Sequence, residues 1–373
     1  MAKSNGNHNA PAGKKARVAR YLKAAGLEAL VLTRPENVSW YTDGACAATS
    51  PTDWPGRVCL IVSADAATAL CANTHADSLR EEKLSGSGIE VLEYPWFDDA
   101  TREDMLRQTL KGRSFAADVP GMAGAERLIG AEFQAMRMQM DEAELQRYGT
   151  LCSELTAAVE AVCTMVEPLQ REEELAGLID VMCKQNSIRP WEVFVAADER
   201  MDRYPRASWT DKPVRSQFSV LVVAQREGLF AATGRVVTFG KPSRQLQARY
   251  EAMQNVLGCL IDGSRPGQGL TDILGGCAQV AEEGGLGKPW QAAPQGGITG
   301  YRSMEVPAGP EAKVQLAPGN VLAWTPTAGG TMLGETVAAD ADGGLLLGNA
   351  TDWPVCKIQA AGRTLRIPEI LVR

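Results

Sequence analysis

Gln295-Gly296-Gly297-Ile298-Thr299-Gly300-Tyr301-Arg302-Ser303-Met304-Glu305-Val306-Pro307 is the most specific stretch of this chain. Glycines crowd its first half and a Glu-x-Pro closes it. A phosphate-cradling loop would need such glycines at a strand-to-helix junction, and no clear junction precedes them. No histidine occurs here or anywhere after position 75; His8 and His75 are the only two in the chain. Imidazole is the commonest metal ligand and the usual proton shuttle near neutral pH. Chemistry in this half of the chain must therefore use other groups, or be absent.

Working outward, Pro318-Gly319-Asn320-Val321-Leu322-Ala323-Trp324-Thr325-Pro326 reads as a turn leading into an apolar strand. Ser219–Ala224 and Gly228–Arg235 read as two further strands. Helical patterns run over 243–261 and 270–283. Upstream, Asp141 with Glu144 three residues later has capping-box spacing and opens a helix from Glu142 to about Val166, stopped by Pro168. A second helix follows over 171–185, and its run Glu172-Glu173-Glu174 reads as a solvated first turn. Residues 16–138 alternate short helices and strands, including an apolar strand broken at Arg34-Pro35 and followed by a turn. The pattern is α+β, with a smaller α/β domain over 16–138 and a larger domain over 139–373. The order helix, helix, strands occurs twice in the larger domain, with no residue-level repeat.

Composition excludes several classes. The chain has 373 residues, a net charge of −7 and a pI near 5.2, which argues against nucleic-acid and anionic-membrane partners. Apolar residues make up 45% and charged residues 22%, the balance of a chain with a sizeable core. No apolar run is long enough for a membrane helix. Residues 1–15 lack the apolar region of a secretory signal and read as a disordered tail whose lysines solubilise. Nine cysteines without a CxxC fit free thiols in a reducing cytoplasm.

These segments, in this order, resemble the creatinase, prolidase and aminopeptidase P family of pita-bread metallopeptidases. Pro35-Glu36-Asn37 and Trp40-Tyr41-Thr42-Asp43-Gly44 are similar to the family's N-terminal Asn…Tyr-Leu-Thr-Gly turn, and Asp352-Trp353-Pro354 fits one bacterial branch. The 295–307 stretch aligns on Gly-His-Gly-x-Gly…His-Glu-x-Pro, where Gly296, Gly300, Glu305 and Pro307 match. The metal-binding first histidine is Gly297, and the substrate-polarising second is Met304. Thr325 stands where a metal-binding Glu precedes Pro, and Gly334 where the last Glu ligand stands. The two aspartate ligands fall at the end of Ser219–Ala224, at Ala224, and at Ala232. Arg206 replaces a substrate-side histidine.

The resemblance implies a pita-bread domain behind a creatinase-type α/β domain, in a homodimer. A dinuclear hydrolase needs several carboxylates and an imidazole to hold two cations and acidify a bridging water. Ala, Ala, Gly, Thr and Gly supply none of that charge, so no metal and no cofactor is expected. The leading expectation is a relative of Xaa-Pro aminopeptidases that binds a small peptide, amide or carboxylate without metallopeptidase activity. Three alternatives stay open: a metal-independent C–N bond hydrolase or lyase using Glu305 and Tyr301, an active Xaa-Pro hydrolase with an atypical site, and a structural partner of an intact paralogue.

Candidate residues follow. Glu305 and Glu335 can form an acid–base carboxylate pair, or hold structure and a surface salt bridge respectively. Arg206, Arg235 and Arg302 can clamp an anion, or pair with glutamates in space left by metal. Tyr301 and Met304, with Gly297 and Thr325, can line a ligand pocket, whereas Trp324 reads as core. Trp40-Tyr41 reads as core rather than as a reach into a partner subunit.

Overall fold

The computed structural model describes residues 12–47, 57–348, 351–360 and 362–373. His8 and most of the expected tail lie outside them. The chain divides into two compact units, Met1–Arg137 and Met138–Arg373. Among the described residues no helix is long and apolar enough to cross a membrane.

The first unit runs α1 (Ala12–Ala25), β1 (Ala29–Leu32), α2 (Pro35–Tyr41), β2 (Val58–Ser63), β3 (Ala67–Ala72), α3 (Asn73–Ser78), β4 (Glu90–Tyr94), α4 (Asp99–Leu110), β5 (Phe115–Ala117), β6 (Arg127–Leu128) and α5 (Ala131–Arg137). Its mixed sheet has the order β4-β3-β2-β1-β5-β6. The turn expected after Arg34 is helix α2. Pro35 sits in its first turn, where a missing N–H costs nothing. Buried Asp118 anchors the entry, accepting from the Thr33 and Arg34 backbone N–H groups and from Asn37 Nδ2 at 2.8–3.0 Å. Trp40 and Tyr41 are buried in this unit. Lys14 is not a solubilising tail residue: it lies in α1, is fully buried, and pairs with Asp43 over the Trp40 ring.

The second unit opens with α6 (Glu142–Met165) and α7 (Glu172–Gln185). The capping box forms as its spacing predicts: Glu144 N–H donates to Asp141 Oδ1 at 2.8 Å, and Asp141 N–H to Glu144 Oε2 at 2.9 Å. Glu172 departs from expectation. It is fully buried, accepts from Ala197 N–H, Thr210 N–H and the Thr210 hydroxyl at 2.7–2.9 Å, and pairs with Arg200 at 3.0 Å. A helix N-terminus favours the carboxylate, and these partners replace its water.

Then follow β7 (Arg189–Ala197), the short α8 (Arg200–Arg203), β8 (Gln217–Arg226), β9 (Leu229–Thr238), α9 (Arg244–Gly263), α10 (Leu270–Glu283), the short α11 (Pro289–Ala292), β10 (Gly296–Thr299), β11 (Val306–Pro307) and β12 (Val321–Trp324). The chain closes with β13 (Thr327–Ala328), β14 (Thr331–Met332), β15 (Glu335–Ala338), β16 (Leu345–Leu346), β17 (Val355–Ala360), β18 (Arg363–Pro368) and β19 (Leu371–Val372). One sheet has the order β19-β9-β8-β7 and another β11-β10-β12-β15-β16. A bridge between Gly234 and Gly334 stitches them. Helices α9 and α10 cover a core of Tyr250, Leu257, Ile261, Leu322 and Trp324. Trp324 is core, its indole N–H donating to Ser264 Oγ at 2.8 Å. Each such fully buried apolar side chain contributes about 1.5–3 kcal/mol.

Candidate functional site

The β8–β9 hairpin sets the floor of a cavity. Glu227 and Gly228 form a two-residue turn with φ of 51° and 81°, the primed geometry that matches strand twist. That turn places Val223 opposite Ala232, and Ala224 opposite Ala231. Val223, not Ala224, is therefore the cross-strand neighbour of Ala232, and these two cluster with Ala323 of β12. Register depends on the turn, so the strand's residues alone left this ambiguous by one position.

The cavity has a volume of about 190 Å³. Val223, Ala231, Ala232 and Ala323 give it an apolar floor; Met304, Pro307 and Pro294 add to the walls, with Thr299 and Ser303. Its charged residues are Arg206 and Glu192. Arg206 Nη2 donates to Thr325 Oγ1 at 2.6 Å and to Pro294 O at 2.9 Å, and the guanidinium lies 5.9 Å from the Phe194 ring centre. Among the described residues Arg206 Nε is buried without a hydrogen-bond partner, and Arg206 forms no ion pair. Burial pulls its pKa down, and the Glu192 carboxylate partly offsets this. Its backbone takes φ of 49°, a left-handed conformation that costs a side-chain-bearing residue about 1 kcal/mol or more.

The positions that resemble metal ligands do not fit a dinuclear centre. Ala224 and Ala232 offer no side-chain donor atom, and neither does Val223 opposite Ala232. The Thr325 hydroxyl is engaged by Arg206. At Gly297 a Cβ would lie 2.2 Å from Val306 O and 2.7 Å from Ala308 N, so β11 fills the space a side chain would need. At Gly334 a Cβ would lie 2.9 Å from Gly234 N and 2.9 Å from Leu221 Cδ1. Among the described residues no three His, Cys, Asp or Glu side chains are grouped to hold a metal ion.

Other candidates lie elsewhere. Arg235 Nε donates to Glu160 Oε1 at 2.7 Å and its Nη1 to Glu335 Oε1 at 2.8 Å, all three groups buried. Burial opposes the Arg235 charge, yet Glu335 and Glu160 hold its pKa above the ordinary value. Burial pushes the Glu335 carboxyl up, against the pull of Arg235. These groups line a separate cavity of about 160 Å³ with Trp353 and Arg366. Glu335 is thus not a surface group: it is buried and paired with Arg235. The Tyr301 hydroxyl donates to Glu144 Oε1 at 2.8 Å and ties its strand connection to α6. Glu305 is buried close to Gly300. Neither lines either cavity. Arg302 is exposed.

Glu192 and Val223 escaped the sequence reading. Glu192 lies beside a β-bulge at Pro190/Glu192, which re-aims side chains without a sequence signature of its own. The signal for Val223 was the Glu227-Gly228 turn, a two-residue hairpin connection.

Comparison with known proteins follows this geometry. The solved X-Pro aminopeptidase from Thermotoga maritima MSB8 superposes with a TM-score of 0.77 at 16% identity, covering 96% of this chain and 99% of that one. Dipeptidase PepE from Mycobacterium ulcerans gives 0.74 at 19% identity, covering 97% of each chain. The N-terminal domain of FACT complex subunit SPT16 from Cicer arietinum (chickpea) gives 0.63 at 11% identity, covering 90% of this chain and 93% of that one. At these identities the likeness shows the fold: a pita-bread domain preceded by an α/β domain. No curated protein is significantly similar. The model of metallopeptidase family M24 matches residues 144–351, more than half of the chain, and the chain belongs to that family.

Proposed function

We propose that this chain is a metal-free member of family M24 that binds a small carboxylate-bearing ligand in the Arg206 cavity and does not hydrolyse Xaa-Pro peptides. One observation carries the reading: the guanidinium of Arg206 is bonded to Thr325, at the position resembling a metal-binding glutamate. A fixed organic cation stands where a metal's positive charge would act. Its partners are neutral oxygens, so its charge is uncompensated within hydrogen-bond reach, and a carboxylate is the group that a guanidinium fork matches best. The apolar floor suits the ligand's hydrocarbon part.

The hydrolase or lyase alternative has less support. Glu305 and Tyr301 lie outside the cavity lining, and Tyr301 is committed to Glu144. General acid–base work requires hydrogen-bond reach of the reacting group.

The test is calorimetric titration with short branched carboxylates, beside an Xaa-Pro dipeptide assay with added Mn²⁺. Arg206→Gln should weaken carboxylate binding by about tenfold or more, the loss of one charge-assisted pair. Mn²⁺-dependent hydrolysis of an Xaa-Pro dipeptide, or carboxylate binding indifferent to Arg206→Gln, would sink the proposal.

A further inference from the structure

Two opposite charges line the Arg206 cavity without meeting. Arg206 and Glu192 both face it, and among the described residues neither forms an ion pair with the other or with any third group. Their fields still couple, because the Glu192 carboxylate supports the positive charge of Arg206. Arg206 is partly buried, whereas the Glu192 side chain is exposed at the cavity's edge and keeps its water. Arg206 is fixed by Thr325, Pro294 and the Phe194 face. Glu192 stands on β7, next to the bulge, with its side chain exposed at the cavity. The gap suits a molecule carrying its own complementary pair.

We infer that the ligand is a free α-amino acid with a short branched apolar side chain. Its carboxylate pairs with Arg206, its ammonium with Glu192, and its side chain rests on Val223, Ala232 and Ala323. This rests on the carboxylate-binding reading and adds to it the ammonium and its acceptor. Size agrees: about 190 Å³ exceeds the roughly 150 Å³ that accommodates benzene in an engineered cavity, and leaves room for a branched side chain with the charged end at the polar wall. Polarity agrees as well. The floor of Val223, Ala231, Ala232 and Ala323 carries no side-chain donor or acceptor and suits an apolar side chain, while the hydroxyls of Thr299, Ser303 and Thr325 line the rest of the cavity.

The experiment is calorimetric titration of the full chain with L-leucine and two truncated forms of it. L-leucine carries both charges, 4-methylpentanoate lacks the amine, and 3-methylbutylamine lacks the carboxylate. The expected result is L-leucine binding about tenfold or more tighter than either truncated probe, the worth of one charge-assisted pair. Glu192→Gln should lower L-leucine to the level of 4-methylpentanoate and leave 4-methylpentanoate unchanged, with near-ultraviolet circular dichroism reporting the fold. If 4-methylpentanoate equals L-leucine on the unaltered protein, the amino-acid inference falls while carboxylate binding stands. If none of the three binds, both fall. Retention of the L-leucine advantage in folded Glu192→Gln also overturns the inference. The comparison on the unaltered protein decides the matter even if the variant does not fold.

Discussion

Two arginines of the second unit, 206 and 235, sit in cavities of similar size and have opposite fates. Arg235 is clasped by Glu160 and Glu335, whose charges balance its own. Arg206 has only neutral oxygens and an aromatic face. The difference teaches which buried cation holds the fold and which is available to a ligand. A guanidinium with its carboxylates in place is a structural joint, here between α6, β9 and β15. One held by carbonyl and hydroxyl oxygens keeps its charge for something else.

The largest expected effect lies on the satisfied side. Arg235→Met leaves two carboxylates buried and unpaired, and should cost about 3–5 kcal/mol in urea unfolding. A loss under about 1 kcal/mol would break the contrast. Next comes Gly334, whose carbonyl also accepts from Arg235 and whose backbone meets Gly234. Gly334→Glu, the residue that the family pattern has there, should destabilise by about 1–3 kcal/mol through overpacking. It should bring no tight Mn²⁺ uptake by elemental analysis; recovery of a metal centre would show that the seam opens easily.

A pH effect sharpens the comparison further. The folded-state pKa of Glu335 is raised above its ordinary value of 4.5, so ionising it costs more in the folded protein than in the unfolded chain. Its contribution is complete below the ordinary value and is lost as pH rises through the raised one. The thermal midpoint of the unaltered protein relative to Glu335→Gln should therefore fall as pH rises from about 4 toward neutrality. A difference that grows with pH would mean that Arg235 outweighs burial. The smallest effect belongs to Arg206. Arg206→Gln should change stability by less than about 1 kcal/mol, because its partners are neutral and Gln can still donate. A loss as large as that at Arg235 would make it a structural joint too.

Part of this site was legible in the residues. Gly297, Thr325 and Ala232 stand in recognisable motifs and carry no ligand chemistry, whatever the fold does around them. Pairing with glutamates was one of two readings for these arginines, but which arginine pairs, and with which glutamates, was not legible. That Arg235 meets Glu160 and Glu335, and Arg206 meets neither, depends on which strands are neighbours. That Glu172 is buried depends on the Thr210 segment crossing the α7 N-terminus, which no helix pattern records. That Val223 faces Ala232 depends on hairpin register, where one position reverses the face of every side chain.

The sequence by itself determined what this protein lacks: imidazole after position 75, and carboxylates at the places resembling metal ligands. It also determined the succession of helices and strands, because periodicity, capping and turn chemistry are local. Only the tertiary structure decided what stands in the vacated space. Backbone closes over Gly297 and Gly334, while a guanidinium reaches Thr325 from 119 positions away in the chain. Such contacts arise from packing between distant segments, and local propensities carry no information about which distant side chain arrives.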